Sequence, residues 1–186
     1  MSHAKTALLV IDVQQSFRHA PYFDESGLPA FLAAQQKLID GAQTAAIPII
    51  QIFHVDGDRA FAEESGLIRA LDGITINPTV TFRKNRHSAF VGTELDAWLK
   101  SHGIDRLIVS GIRTEQCCET TTRHGSDMGY VVDFVTEATL TFPMTHTSGT
   151  VFSAEDIAKR TELVLADRFA RITTVDGALQ ADQDAA

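Results

Sequence analysis

The chain holds only two cysteines in 186 residues, and they are adjacent: Cys117 and Cys118. Neighbours in sequence cannot staple distant parts of a fold, so a disulfide framework is excluded, and unpaired thiols fit a reducing compartment. No stretch approaches the ~20 apolar residues of a membrane span. The first apolar run, residues 7–13, is short and contains Asp12, so it does not read as a signal peptide. The expectation is a cytoplasmic protein with no membrane partner. Basic residues are scarce: 16 Lys+Arg against 24 Asp+Glu give a formal net charge of −8, with no Lys/Arg-rich block. That balance argues against nucleic acid as a partner. Neither G-x-G-x-x-G nor a P-loop pattern is present, which weighs against a nucleotide-binding module. Repeats, low-complexity linkers and a domain boundary are missing too. What remains is 44% hydrophobic and 22% charged, an ordinary globular composition. As one domain over residues 1–186, it is long enough to bury a core without staples.

Short apolar runs alternate with helical patterns. Residues 6–13 form a near-continuous apolar run, the pattern of a strand buried on both faces. Residues 28–46 place Phe31, Leu32, Gln35, Leu38, Ile39 and Ala42 at helical spacing. A second strand follows over 47–54, a polar loop over 55–66, a short helix over 67–71 and a third strand near 79–82. Thr93 is placed to cap a helix carrying Leu95, Trp98 and Leu99 on one face, and Gly103 to end it. Strands over 105–110, 130–135 and 170–175 alternate with helices over 115–127 and from Ser153, where Asp156 three residues on completes a capping pattern. The tail from Ala178 reads as polar, Ala-rich and frayed. Such alternation predicts an α/β three-layer, doubly wound sandwich around a six-stranded, mostly parallel sheet of order 3-2-1-4-5-6. Ligands in such sheets bind outside the carboxyl ends of the strands where the order reverses, here after strands 1 and 4.

Asp12 lies at the carboxyl end of strand 1. A buried carboxylate needs a partner; it either bonds the backbone of the following turn or acts as a general base. Cys117 falls in the first turn after strand 4, where the helix dipole and free N–H groups favour a thiolate and an oxyanion; the alternative is a buried structural thiol. Cys118, Thr121, Thr122 and Gly125 share one helical face suited to close packing, and Cys117 is turned about 100° from it. Lys84 follows strand 3, roughly 10 Å from strand 1 at ~4.8 Å per strand. The loop carrying it must fold inward for Lys84 to meet Asp12; otherwise it is a solvated charge beside Arg83 and Arg86.

Three segments together resemble the isochorismatase-like cysteine hydrolase superfamily. They are IDVQQSF (Ile11–Phe17), KNRHSAFVGTELDAWL (Lys84–Leu99) and GIRTEQCCETT (Gly111–Thr121). The likeness spans residues 5–139. It implies a Cys–Asp–Lys triad of Cys117, Asp12 and Lys84, converging within a few ångströms. It also implies a cis peptide bond before Arg113, whose N–H joins that of Cys117 as an oxyanion hole. The Asp-x-His…His metal set of family nicotinamidases is absent from residues 51–66, so no metal and no cofactor are expected. Candidate substrate contacts are Phe17, His54, Arg113, Gln116 and His146. Arg113 either clamps a substrate carboxylate or pairs with Glu115 or Glu119. The family also implies a homo-oligomer.

The leading expectation is a metal-independent cysteine hydrolase of a small C–N substrate, acting through a covalent intermediate. Alternatives are a vinyl ether hydrolase using Asp12 as acid, a non-catalytic small-metabolite-binding module, and an inactive family member. Loops 55–66 and 141–149 are the expected selectors of substrate.

Overall fold

The computed structural model describes residues 5–57 and 59–183. Its first strand, β1 (Lys5–Ile11), buries every residue after Lys5. Successive side chains of a strand point to opposite faces, so an unbroken apolar run needs cover on both. Leu8 and Val10 enter one core with Phe31, Leu38 and Ile39 of α1 (Leu28–Thr44). Ala7, Leu9 and Ile11 enter a second core on the opposite face.

The remaining elements follow in order: β2 (Ile49–His54), β3 (Val80–Lys84), α2 (Leu95–Ser101), β4 (Ile104–Ile112), α3 (Glu119–Asp127) and β5 (Val131–Leu140). The hairpin β6 (Met144–Thr145) and β7 (Val151–Phe152), α4 (Ala154–Leu165), β8 (Arg171–Thr173) and α5 (Val175–Gln183) complete the described residues. The main sheet has the order β3-β2-β1-β4-β5-β8, every pair parallel. This is the expected doubly wound order. Its sixth member is the eighth strand of the chain because β6 and β7 pair only with each other. Leu95 and Leu99 of α2, Cys118 before α3 and Leu165 of α4 fill the second core, while Val175 and Ala178 of α5 join α1 in the first.

Local chemistry explains two helix starts. Ser153 and Asp156 form a reciprocal capping box on α4, with N–H to oxygen distances of 3.1 and 3.0 Å. The Thr93 hydroxyl accepts the Leu95 N–H at 3.3 Å as α2 begins. Two expectations fail and one is refined. The helix expected over 67–71 is absent. The Gln15 N–H donates to the Arg69 carbonyl and the Leu71 N–H to the Val13 carbonyl, so this segment pairs with the chain leaving β1 instead of with itself. The polar loop 55–66 contains two short 3-10 turns, Arg59–Phe61 and Glu63–Ser65. Residues 178–183 are helical where fraying was expected, because Val175 and Ala178 have a core to enter; the rest of that tail lies outside the described residues. Among the described residues no helix is long and apolar enough to cross a membrane.

Candidate active site

Side chains from the ends of β1 and β3 and from the turn after β4 meet where the sheet order reverses. Asp12 leaves β1 with φ of 54°, a left-handed conformation that Asp tolerates better than most residues. Its N–H donates to the Ile52 carbonyl at 2.8 Å, which ties the turn to β2. Its carboxylate is fully buried and bonds Lys84 rather than the backbone of the turn: Nζ donates to Oδ2 at 2.7 Å. The other oxygen, Oδ1, is buried with no hydrogen-bond donor.

Lys84 is the last residue of β3, in register with His54 of β2. The strand runs two residues beyond its expected end, and the side chain spans the width of β2. The lysine stem, and not an infolded loop, closes the gap to Asp12. Its ammonium carries three N–H groups and meets three acceptors: Asp12 Oδ2 at 2.7 Å, His54 Nδ1 at 3.1 Å and Cys117 Sγ at 3.3 Å.

Cys117 lies in a π-helical turn, Thr114–Cys118, that runs directly into α3. The Cys118 N–H reaches back to the Arg113 carbonyl at 3.2 Å. Cys118, Thr121 and Thr122 are fully buried, and Gly125 packs under Phe90 and Leu107. Cys117 is turned toward the strand ends. The peptide bond between Ile112 and Arg113 is cis.

Burial and the Asp12 carboxylate push the Cys117 thiol up, outweighing the opposing pull of Lys84. The resting sulfur is therefore a thiol, whereas helix position alone argued for a thiolate. For Lys84, burial favours the neutral amine, but Asp12 and Cys117 outweigh it and raise its pKa. His54 is lowered by burial and then by the neighbouring ammonium, so it is neutral at pH 7.

Donor atoms of Asp12, His54 and Cys117 lie within 4.8 Å of one another, a spacing that resembles a metal site. The set does not fit a divalent ion: Lys84 Nζ bonds all three side chains, placing a cation that the chain already owns at their centre.

Asp12 and Cys117 open into a cavity of about 510 Å³ walled by Phe17, His54, Gln116 and, unforeseen from the sequence, Tyr22 and Phe61. Phe17 and Phe61 meet edge to face at 5.1 Å. A lone large apolar residue in a polar loop was the available signal for Phe61. Gln14 was missed as well. It is fully buried, and its amide donates to the His54 carbonyl at 3.0 Å and accepts the His54 N–H at 2.8 Å. Two expected contacts lie elsewhere. The Arg113 guanidinium pairs with Glu115 at 2.9 Å and sits over the Tyr22 ring at 4.8 Å, so it backs the wall instead of facing the cavity. Glu119 is taken by Arg123 and Arg160. His146 belongs to the β6–β7 hairpin and lines a separate groove with Met144, Phe152 and Arg160.

The pattern of the Isochorismatase domain matches residues 6–175. The chain belongs to the isochorismatase family. Nicotinamidase 3 of Arabidopsis thaliana is 32% identical over 152 residues, 73% of each protein. The ureidoacrylate amidohydrolase RutB of Methylobacterium radiotolerans is 26% identical over 174 residues, 73% of this chain and 67% of that one. An isochorismatase structure from Pseudomonas putida KT2440 superimposes with a TM-score of 0.83 at 27% identity, covering 95% of this chain and 91% of the other. The protein is an isochorismatase-family hydrolase.

Proposed function

We propose that the protein is a metal-independent cysteine hydrolase of a small C–N substrate: an amide, a urea or a carbamate. The observation that carries this reading is the Lys84 ammonium bridging Asp12 and Cys117 at the base of the cavity. One buried cation supports both a carboxylate that accepts a proton and the sulfur that gives it up. The names of the nicotinamidase and ureidoacrylate amidohydrolase relatives support the same chemistry. The cavity is within the usual range for small-molecule sites, roughly 300–1,000 Å³.

The reaction follows from the groups present. Asp12 takes the Cys117 thiol proton as Sγ attacks the substrate carbonyl carbon. The N–H groups of Arg113 and Cys117 receive the resulting oxyanion. Asp12 returns the proton to the leaving nitrogen, the C–N bond breaks, and an acyl-thioester remains on Cys117. Water then attacks the thioester with Asp12 taking its proton. The C–S bond breaks, the acid product leaves and the thiol is restored. Lys84 stays charged throughout and balances the negative charge as it moves between Asp12, sulfur and the oxyanion.

The test is a panel of small amides, ureas and carbamates scored for ammonia or acid release, with Cys117→Ala as the comparison. Hydrolysis by the native protein that falls to background in Cys117→Ala is expected. Vinyl ether hydrolysis with Asp12 as acid needs no thiol, so activity surviving in Cys117→Ala overturns the cysteine mechanism.

A further inference from the structure

His54 stands at the cavity wall, where its ring invites a substrate contact or a metal bond. The geometry points to a different task. Lys84 Nζ is 3.1 Å from His54 Nδ1. An ammonium has three donors and no acceptor, so Nδ1 must be the acceptor. The ring proton of the neutral imidazole then lies on Nε2, which is 3.4 Å from Asp56 Oδ2. The charged groups facing the ring are Lys84 from β3, Asp12 from the end of β1 and Asp56 beyond β2, and the Phe61 ring meets it at 6.0 Å between centroids. Gln14 grips the His54 backbone from both sides, fixing where the ring starts.

We infer that His54 is a positioning residue: its Nδ1 accepts the third N–H of Lys84 and so holds the ammonium against both Asp12 and Cys117. The inference rests on the cysteine hydrolase reading for its catalytic consequence, but not for its geometry. With only two acceptors, the buried ammonium keeps one N–H unpaired. It recovers that bond by swinging toward water in the cavity, away from sulfur. His54 also explains how a donor set spaced for a metal holds an ammonium instead: a lysine needs a third acceptor there, and a neutral imidazole supplies one without adding charge.

The test uses the whole protein and needs no substrate. Nitrogen-15 imidazole spectra near pH 7.5 are expected to show His54 as the Nε2–H tautomer; a protonated Nδ1 overturns the inference. Alkylation of Cys117 by iodoacetamide, followed by peptide mass at about pH 8, supplies the second readout. His54→Phe removes the acceptor and is expected to slow alkylation about tenfold, the scale of one charged hydrogen bond. His54→Asn places Oδ1 near the position of Nδ1 and is expected to stay within about threefold of native, again on that scale. Equal rates in all three proteins, or equal losses in both variants, overturn the inference. On any substrate found in the panel, His54→Phe should lower kcat with KM unchanged. A change confined to KM marks a substrate contact and overturns it. Failure of the hydrolase reading shows instead as activity retained by Cys117→Ala; the tautomer and the alkylation rates are measured with Cys117 present and are read independently of it.

Discussion

At the scale of single residues, the site depends on how a buried pair is balanced. Asp12 and Lys84 are both fully excluded from solvent. Each makes the other tolerable: removing one leaves an uncompensated charge, at a cost of ~3–5 kcal/mol. Lys84→Met is therefore expected to lower unfolding free energy by about that amount in urea titrations, as well as to abolish hydrolysis. The pH dependence has a defined sign. The folded pKa of Lys84 is raised, so its contribution is fully present below the unfolded value of ~10.4 and is lost as pH rises through the folded value. The native protein should lose stability above about pH 10 more steeply than Lys84→Met does; parallel curves would remove Lys84 as the source. In the sequence, a resemblance carried by three ordered motifs implied that Asp12, Lys84 and Cys117 belong together, and Lys84 bonds both of the others. The resemblance did not show how Lys84 bridges two strand widths, since reach depends on where β3 ends. Nor did it show that Arg113 backs the cavity wall: Glu115, two residues on, is the partner that claims it.

At the scale of elements, the carboxyl end of β4 lies against β1 in a backbone conformation that leaves no room for a side chain. Gly111 of β4 has φ of 132°, and a Cβ at that position would stand 1.9 Å from the Ile11 carbonyl oxygen. Backbone cannot yield as a side-chain tip can. Gly111→Ala should cost roughly 3–5 kcal/mol, combining strain and collision. Gly129 supplies the control. It has φ of 94°, but no neighbouring atom lies within 4 Å of where an alanine methyl would stand. Gly129→Ala should therefore cost only the backbone term, about 1–2 kcal/mol. Thermal unfolding of both variants separates close approach from conformation, and equal losses would show that the approach of β4 to β1 is not what demands glycine. Strand order and most elements were legible because buried parallel strands are continuous apolar runs and the helices keep their period. The β6–β7 hairpin was not, since two-residue strands leave no periodic trace. The failed helix over 67–71 had acceptable local residues; backbone partners more than 50 residues earlier in the chain decided against it, and such pairing is invisible to a local pattern.

At the scale of the molecule, the sheet separates the chemistry from part of what stabilises it. Cys117 and Cys118 belong to the core shared with α2 and α4, whereas α5 packs with α1 on the opposite face. The tail reads as frayed in the sequence because an Ala-rich, weakly apolar segment has no strong signal of its own; its order comes from Val175 and Ala178 meeting a surface that α1 has already made. Polar contacts also hold α5: Lys37 of α1 pairs with Asp176 at 2.7 Å, the Val175 N–H donates to the Glu137 carboxylate of β5, and Arg171 of β8 donates to the Gly177 carbonyl at 3.4 Å. A chain ending at Thr174 should therefore fold but lose stability. Exposing the surface that covers Val175, Ala178 and half-buried Leu179 costs about 3 kcal/mol at ~25 cal/mol per Å². For a domain of this size that lowers Tm by roughly 6–12 °C. Cys117 alkylation at 25 °C should remain at the native rate, because the Asp12, Lys84 and His54 contacts lie at the strand ends and none of them involves α5. If alkylation changes in step with Tm, the two faces of the sheet are coupled, and the position of Lys84 depends on packing that reaches through β1.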